Sequence, residues 1–332
     1  MFKNYLKYFC LFLFIFLINT HSFSQSTPKK HLPIIDVHVH AMKLNPKFAA
    51  DMCPWFLSSM PGADPNEAPP SFINTDCASP LKAAKSDQEF QDSLVATMKR
   101  LNITIVAMGD PTILRNWQNA APGRVIPAIG ISTSKDMSVV AFTDSLSSDF
   151  YKVMAEVAPQ YQGLSPSDTS LDAYFAAAEK LNIPVGIHMG TGGNGMANIT
   201  SPKYRASMGN PLLLEDLLAR HPKLKVWVMH AGYPMIDNMI ALMGANAYVY
   251  VDVAGMIWSY PLEEVNNYIK RLVQAGFEKR IMYGTDLMIW PKLLETSLGV
   301  IMNATYLSED QKRDILFNNA VRFFRLDPKK FE

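Results

Sequence analysis

"PIIDVHVHAM", residues 33–42, sets two histidines two positions apart inside an apolar run. Side chains alternate across a strand, so His38 and His40 are expected on one face with Asp36 below them, and Val37 and Val39 on the other. One apolar face toward covering helices and one polar face toward an enclosed interior is how a strand of a closed barrel reads. An isolated His-x-His pair is weak evidence of chemistry, so the weight falls on whether other runs behave the same way.

Seven more short runs follow. They are "ITIVAMG" (103–109), "VIPAIGIS" (125–132), "YKVMAEVA" (151–158), "IPVGIHMG" (183–190), "KVWVMHAG" (225–232), "YVYVDVAG" (248–255) and "RIMYGTDLM" (280–288). Between them, "LDAYFAAAEKLN", "PLLLEDLLARHP" and "PLEEVNNYIKRLVQAG" place apolar residues at three- and four-residue spacing, as helices covering a sheet do. Eight strands alternating with helices predict a (β/α)8 TIM barrel. A doubly wound open sheet gives the same alternation and stays open at this point. A long proline-rich insertion from Ala41 to Lys85, carrying Trp55, Phe56 and Phe72, leaves the first strand and is expected over the barrel mouth. Neither an internal repeat nor a low-complexity tract interrupts this rhythm.

The chain has 332 residues, 48% hydrophobic and 18% charged, enough for a sizeable core. A net charge of +1 with no basic run excludes the electrostatic footprint of a nucleic-acid binder. At the N-terminus, Lys3 and Lys7 precede an apolar stretch over residues 9–18 and then polar residues. That pattern reads as a secretory signal peptide over residues 1–25, leaving residues 26–332 as a single domain, periplasmic or secreted, without stable membrane insertion. An uncleaved anchor is the alternative, although the stretch is short for a spanning helix. Export would leave Cys53 and Cys77 as the only thiols, and an oxidising compartment favours pairing them; two free thiols remain the other reading.

The other histidines then become informative. His188 ends the fifth run, His230 the sixth, and Asp286 ends the eighth, all where barrel enzymes build their active sites. Each alone reads as a buried, hydrogen-bonded core residue; together with His38 and His40 they converge on one rim. Imidazole and carboxylate suit zinc and similar divalent ions, and an incomplete protein shell leaves room for water.

With "DVHVH" on the first strand, histidines ending the fifth and sixth and aspartate ending the eighth, the chain resembles the amidohydrolase superfamily. The wording of "APQYQGLSPSD", "GIHMG", "GNPLLLEDLLARHPKLKVWVMHAGYP" and "RIMYGTD" is similar to its amidohydrolase-related branch, which also contains decarboxylases. The resemblance implies a metal-dependent barrel hydrolase in which His38, His40, His188 and Asp286 match metal-ligand positions. It implies for His230 either a second metal or a role on the substrate. The fourth strand departs from the commonest form, which carries a carboxylated lysine bridging two metals; here it offers Lys152 early and Glu156 near its end. Glu156 replaces that bridge or hydrogen-bonds beneath the site, so one or two ions are expected, zinc first.

Several residues carry two readings. "GTGGNG" (190–195) formally fits a dinucleotide fingerprint, yet it follows a fifth strand and leads into a polar loop, so a flexible loop at the mouth is expected. Arg205 in that loop meets an anionic substrate or is a solvated surface residue. Asp252 is a buried hydrogen-bonding residue or a ligand. Trp55, Trp258, Tyr260 and Trp290 line an apolar pocket or pack loops against helices.

The expected activity is metal-assisted hydrolysis of an amide, ester or lactone in a small-molecule substrate. Asp286 would take the water proton and pass it to the leaving group, and His230 would stabilise the oxyanion or orient the substrate. A non-oxidative decarboxylase on the same site is the alternative enzyme, and an exported small-molecule-binding barrel without turnover is the rival of another class. Exposed apolar helix faces allow a homo-oligomer.

Overall fold

The apolar runs pair side by side in chain order in the computed structural model, which describes residues 31–45, 49–55, 64–67, 76–193 and 195–331. The strands are β1 (Ile34–Ala41), β2 (Ile103–Gly109), β3 (Val125–Ile129), β4 (Val153–Val157), β5 (Val185–His188), β6 (Val226–Met229), β7 (Val249–Asp252) and β8 (Ile281–Met282). Each pairs in parallel with the next in one eight-stranded sheet. The last strand returns to the first: Val37 N donates to Tyr283 O at 3.0 Å, Asp286 N to His38 O at 2.8 Å and His40 N to Leu287 O at 2.8 Å. The sheet is therefore a barrel rather than an open layer.

The chain divides into two units, residues 1–30 and residues 31–332. The signal peptide expected over residues 1–25 lies outside the described residues. Among the described residues, no helix is long and apolar enough to cross a membrane.

The helices between strands form where the apolar spacing places them, at Asp172–Lys180, Glu215–Arg220 and Leu262–Gln274 for the three segments quoted above. The helix Asp87–Leu101, which returns the chain from the insertion to β2, starts on a Ser86 cap whose hydroxyl accepts from Glu89 N at 3.1 Å.

Two buried clusters divide the apolar residues. The larger, with Ile34, Val39, Ile105 and Tyr283, lies between strands and helices. The smaller joins Ile35 and Val37 of β1 to Val106, Ala128, Ala155, Trp227 and Met282, residues of six strands. Side chains from so many strands meet only across the barrel interior. Phe317 and Phe323 from the C-terminal helices join this cluster, and Phe323 lies 5.7 Å from Trp227 and 4.8 Å from Tyr250, closing the end where the strands begin.

This division corrects the expected alternation of β1. Val37 and Val39 do not share a face: Val37 fills the interior, and Val39 packs against the helix layer. The register between β1 and β2 slips between Asp36 and Val39, a bulge that adds one residue to β1 and resets which side chains point inward. Asp36, expected below the histidines, instead pairs with Ile105 of the outer layer and accepts from Thr285 Oγ1 at 2.5 Å. A second slip falls in β4 between Met154 and Val157. Val153 and Ala155 are interior, and the slip brings the next residue, Glu156, to the same side instead of outward.

β8 ends earlier than the sequence suggested, at Met282, because the chain leaves ideal strand geometry before Asp286, whose φ is 59°. In the described part of the insertion, Met52 and Leu81 exchange backbone hydrogen bonds of 2.9 and 2.7 Å, and Cys53 and Cys77 are joined by a disulfide with Cα atoms 6.1 Å apart. Trp290 Nε1 donates to Ala50 O at 2.8 Å, Ala84 N to Ile289 O at 2.9 Å, and Trp55 N to Trp258 O. Both ends of the insertion are thus tied to the loops after β7 and β8, at the mouth.

Candidate metal centre

Six side chains meet at the C-terminal ends of the strands. From β1, His38 is fully buried and sets Nδ1 3.2 Å from Asp252 Oδ2. That carboxylate also accepts from Trp227 Nε1 at 3.0 Å, His230 N at 2.8 Å and Ala254 N at 3.1 Å. Surrounded by donors, Asp252 takes the His38 proton bond as well, so His38 carries hydrogen on Nδ1 and points an unprotonated Nε2 inward. His230, one residue beyond β6, places Nδ1 2.9 Å from Ala254 O, an acceptor only, so it too presents Nε2 as a lone pair.

Among the described residues, possible ligand atoms form three triads, each within 4.8 Å: His38 with His40 and Asp286, Glu156 with His188 and His230, and His38 with His230 and Asp252, whose carboxylate is already occupied by hydrogen-bond donors. His40 Nε2 lies 3.0 Å from Asp286 Oδ1, and His38 Nε2 lies 3.5 Å from it. His188 Nδ1 is 2.5 Å from Glu156 Oε1 and 2.9 Å from His230 Nε2. Glu156 links the first two triads, its Oε2 lying 3.5 Å from His40 Nε2 and 3.8 Å from His38 Nε2. On its outer side His188 Nε2 meets Tyr161 OH at 3.0 Å, and its carbonyl accepts from Gln160 Nε2.

These residues fit a divalent cation. His38 Nε2 and Asp286 Oδ1 are buried with no hydrogen-bond partner among the described residues, and both face the centre. Buried polar atoms without partners are costly, and here they converge with further imidazole nitrogens and a second carboxylate. The electrostatics agree. Burial alone would lower the His38 pKa, yet the charges of Asp286 and Asp252 carry it well above the usual imidazole range. Burial would raise Glu156, but the charge and hydrogen bond of His188 hold it well below the usual carboxylate range. Burial likewise opposes ionisation of Asp286, and the His38 and His40 charges keep its pKa low. Two ionised carboxylates in a dry rim draw positive charge, which protons supply when no metal does.

The backbone is bent to make this set. His230 and Asp286 both have φ of 59°, the left-handed region that non-glycine residues seldom adopt. Gly255, at φ 67°, lies so close that a Cβ there would come within 2.8 Å of His230 Nδ1 and 3.0 Å of Asp286 Oδ2.

The centre opens into a cavity of about 340 Å³, whose wall includes His40, Glu156, His188, His230 and Asp286. Trp258 and Tyr260 also line it. Trp290 is not among the residues of its wall; it packs on Trp258 with the rings tilted and their centroids 5.9 Å apart, and it holds the insertion. Trp55 turns its indole to Ile257 O. Arg205 is exposed, away from the wall, and donates to Pro202 O and Tyr204 O of its own loop at 2.8 and 2.7 Å. Asp252 is buried and oriented toward His38 as a hydrogen-bond acceptor. Tyr161 and Gly255 are among the site residues given no role in the sequence reading. Their signal was position alone, just past the ends of β4 and β7.

A family model described as amidohydrolase matches residues 35–326. No curated protein matches the chain by sequence. Similar solved structures include a probable 2-pyrone-4,6-dicarboxylic acid hydrolase from Acinetobacter baumannii with citric acid bound (13% identity, 89% of this chain and 100% of that one, TM-score 0.54). Another is a 5-carboxyvanillate decarboxylase from Sphingomonas paucimobilis (14% identity, 89% and 100%, TM-score 0.55). A third is a 5-carboxyvanillate decarboxylase from Novosphingobium aromaticivorans in complex with manganese and a nitro-substituted benzoic acid (15% identity, 70% and 79%, TM-score 0.52).

Proposed function

This chain belongs to the amidohydrolase family, and from that premise we propose that it is an exported, zinc-dependent hydrolase of a small-molecule amide, ester or lactone. The observation that carries the reading is the pair of partnerless buried atoms, His38 Nε2 and Asp286 Oδ1, within a rim of four histidines and two acids. His38, His40 and Asp286 would hold one ion, and Glu156, His188 and His230 would offer a place for a second. The manganese of the Novosphingobium decarboxylase makes that metal the competitor to zinc.

A divalent ion in this centre supplies Lewis acidity to the substrate carbonyl and to water. The remaining work belongs to side chains. Asp286 is held ionised beside His38 and His40, so its free oxygen takes a proton from the attacking water and returns it to the leaving group. His230, fixed in one tautomer by Ala254 O, presents the Nε2 lone pair and would orient the substrate by accepting from a donor group on it or from the attacking water. Tyr161 keeps the His188 ring in place from behind.

Non-oxidative decarboxylation is the second reading, favoured by the likeness to the two decarboxylases. On that path Asp286, once protonated, delivers its proton to the carbon that loses the carboxylate. Metal analysis of the purified protein, followed by a panel of lactones, esters, amides and aryl carboxylates with wild type and Asp286→Asn, tests both. Oxygen uptake from labelled water marks hydrolysis, and carbon dioxide release marks decarboxylation. No stoichiometric divalent metal in active protein defeats either.

Export rests on Lys3, Lys7 and the apolar residues behind them, and on the Cys53–Cys77 disulfide. The intact mass of protein recovered from its native cell envelope or medium tests it; a retained Met1 in all fractions argues against cleavage.

A further inference from the structure

β8 stops at Met282, so the strand ladder does not itself deliver Asp286 to the centre. Asp286 stands at φ 59°, a conformation that persists where neighbouring groups over-determine it. The residue before it supplies that constraint. Thr285 N donates to Asp36 Oδ1 at 3.0 Å, and Thr285 Oγ1 donates to Asp36 Oδ2 at 2.5 Å. Asp36 Oδ1 also accepts from His38 N at 3.1 Å, so one buried carboxyl group ties Thr285 to the backbone of His38. Thr285 O accepts from Trp258 Nε1 at 2.6 Å and from Gly255 N at 3.3 Å. Across the same peptide plane, Asp286 N donates to His38 O at 2.8 Å. The plane that aims Asp286 is therefore held at both edges, from β1 and from the loop after β7. Thr285 itself is fully buried and is not among the residues of the cavity wall, so it reaches the chemistry only through its neighbour.

We propose that Thr285 is a positioning residue of the metal centre: its hydroxyl, fastened to Asp36, holds Asp286 where Oδ1 lies 3.0 Å from His40 Nε2 and 3.5 Å from His38 Nε2. This rests on the metal-centre reading above. The fastening needs a hydroxyl rather than a shape. Valine fills the same space but takes from Asp36 Oδ2 the donor it has, and an acceptor buried without its donor favours a rearrangement of the 285–286 peptide. Serine restores the donor without the methyl group.

The test titrates the full chain with zinc, and separately with manganese, against a chelating dye, in wild type, Thr285→Val and Thr285→Ser. Thr285→Val should bind metal about 10- to 100-fold more weakly, and Thr285→Ser should stay near wild type. In cobalt-loaded protein the visible absorption of Thr285→Val should differ from that of wild type, with Thr285→Ser matching wild type. At saturating metal, on a compound that wild type turns over, Thr285→Val should lower kcat by about tenfold or more with KM little changed, since the displaced group is Asp286 and not a substrate contact. If Thr285→Val does not fold, Thr285→Ala set against Thr285→Ser gives the same comparison. A Thr285→Val chain that unfolds at lower urea yet binds metal as wild type does overturns the proposal, as does a Thr285→Ser chain as weak as Thr285→Val. Wild type that binds neither zinc nor manganese overturns the metal-centre reading and the proposal together. If the expected affinity pattern appears but no compound is turned over, the catalytic readings fail and the proposal stands.

Discussion

His188 Nδ1 faces His230 Nε2 at 2.9 Å, with Glu156 Oε1 2.5 Å from the first nitrogen and 3.4 Å from the second. Because His230 commits its other nitrogen to Ala254 O, a proton on His188 Nδ1 is what joins the three in the absence of a cation. A metal replaces that proton, so binding should release protons and stabilise the fold. At a free metal concentration a hundred times Kd the gain is about 2.7 kcal/mol, several degrees of melting temperature for a chain of this size. Scanning fluorimetry after chelation and re-addition of zinc or manganese measures it, and His188→Ala should remove much of the shift. A melting temperature indifferent to chelator and metal alike would count decisively against the centre.

Asp252 touches no substrate but fixes which nitrogen of His38 is free. Asp252→Asn keeps the volume while weakening that hold, and metal affinity should fall by about 10- to 100-fold. Competition with a chelating dye reads this directly, and near-wild-type secondary structure by circular dichroism would separate it from misfolding. Unchanged affinity means the Asp252 contact is structural only.

Gly255→Ala puts a methyl where His230 and Asp286 leave no room, at a φ that disfavours alanine. The barrel has other means of folding, so the expected loss is local: activity down by about tenfold or more, with a destabilisation of about 1–3 kcal/mol. Urea unfolding together with kcat/KM on the best substrate checks it. Wild-type activity in this variant would show that the two side chains have space to move.

Asp36 gives a pH dependence. Burial pushes its carboxyl from the usual 3.8 up to about 7, although hydrogen bonds from Thr285 and His38 pull the other way. The folded state therefore holds a proton that the unfolded chain releases. Its contribution is fully present below about pH 3.8 and is lost as pH rises through about 7. In metal-free protein, stability relative to Asp36→Asn should fall across that window, measured by urea denaturation at several pH values. A constant difference from pH 4 to 8 would refute the assignment.

The Cys53–Cys77 bond closes a segment with a sequence separation of 24 residues at the mouth. The chain-entropy argument allows it about 3 kcal/mol. Reduction should lower the melting temperature, and Cys53→Ser with Cys77→Ser should mimic it without reductant. If reduction leaves melting unchanged, the insertion unfolds independently of the barrel.

The fold was legible because strand runs and amphipathic stretches repeat with clear periods, and eight such runs are what closes a parallel barrel. The centre was legible in part. Histidines and Asp286 at the ends of runs announced themselves by chemistry and position together. The facing of Asp36, Val37 and Glu156 was not, because alternation is a local rule and both bulges arise from pairing with neighbouring strands. Likewise, Trp290 and Trp258 share composition and position at a strand end, but which of them reaches the cavity depends on the insertion that Trp290 holds.

The bulge in β1 also limits how far the motif can travel. Ile35 and Val37 plug the barrel floor while His38 and His40 serve its rim, a division of labour that one extra residue makes possible on a single strand. Grafting "DVHVH" onto an evenly paired barrel strand would carry the letters without the phase. A one-residue deletion here should exchange floor and rim at a stroke. The transferable unit is the motif together with its slip against β2.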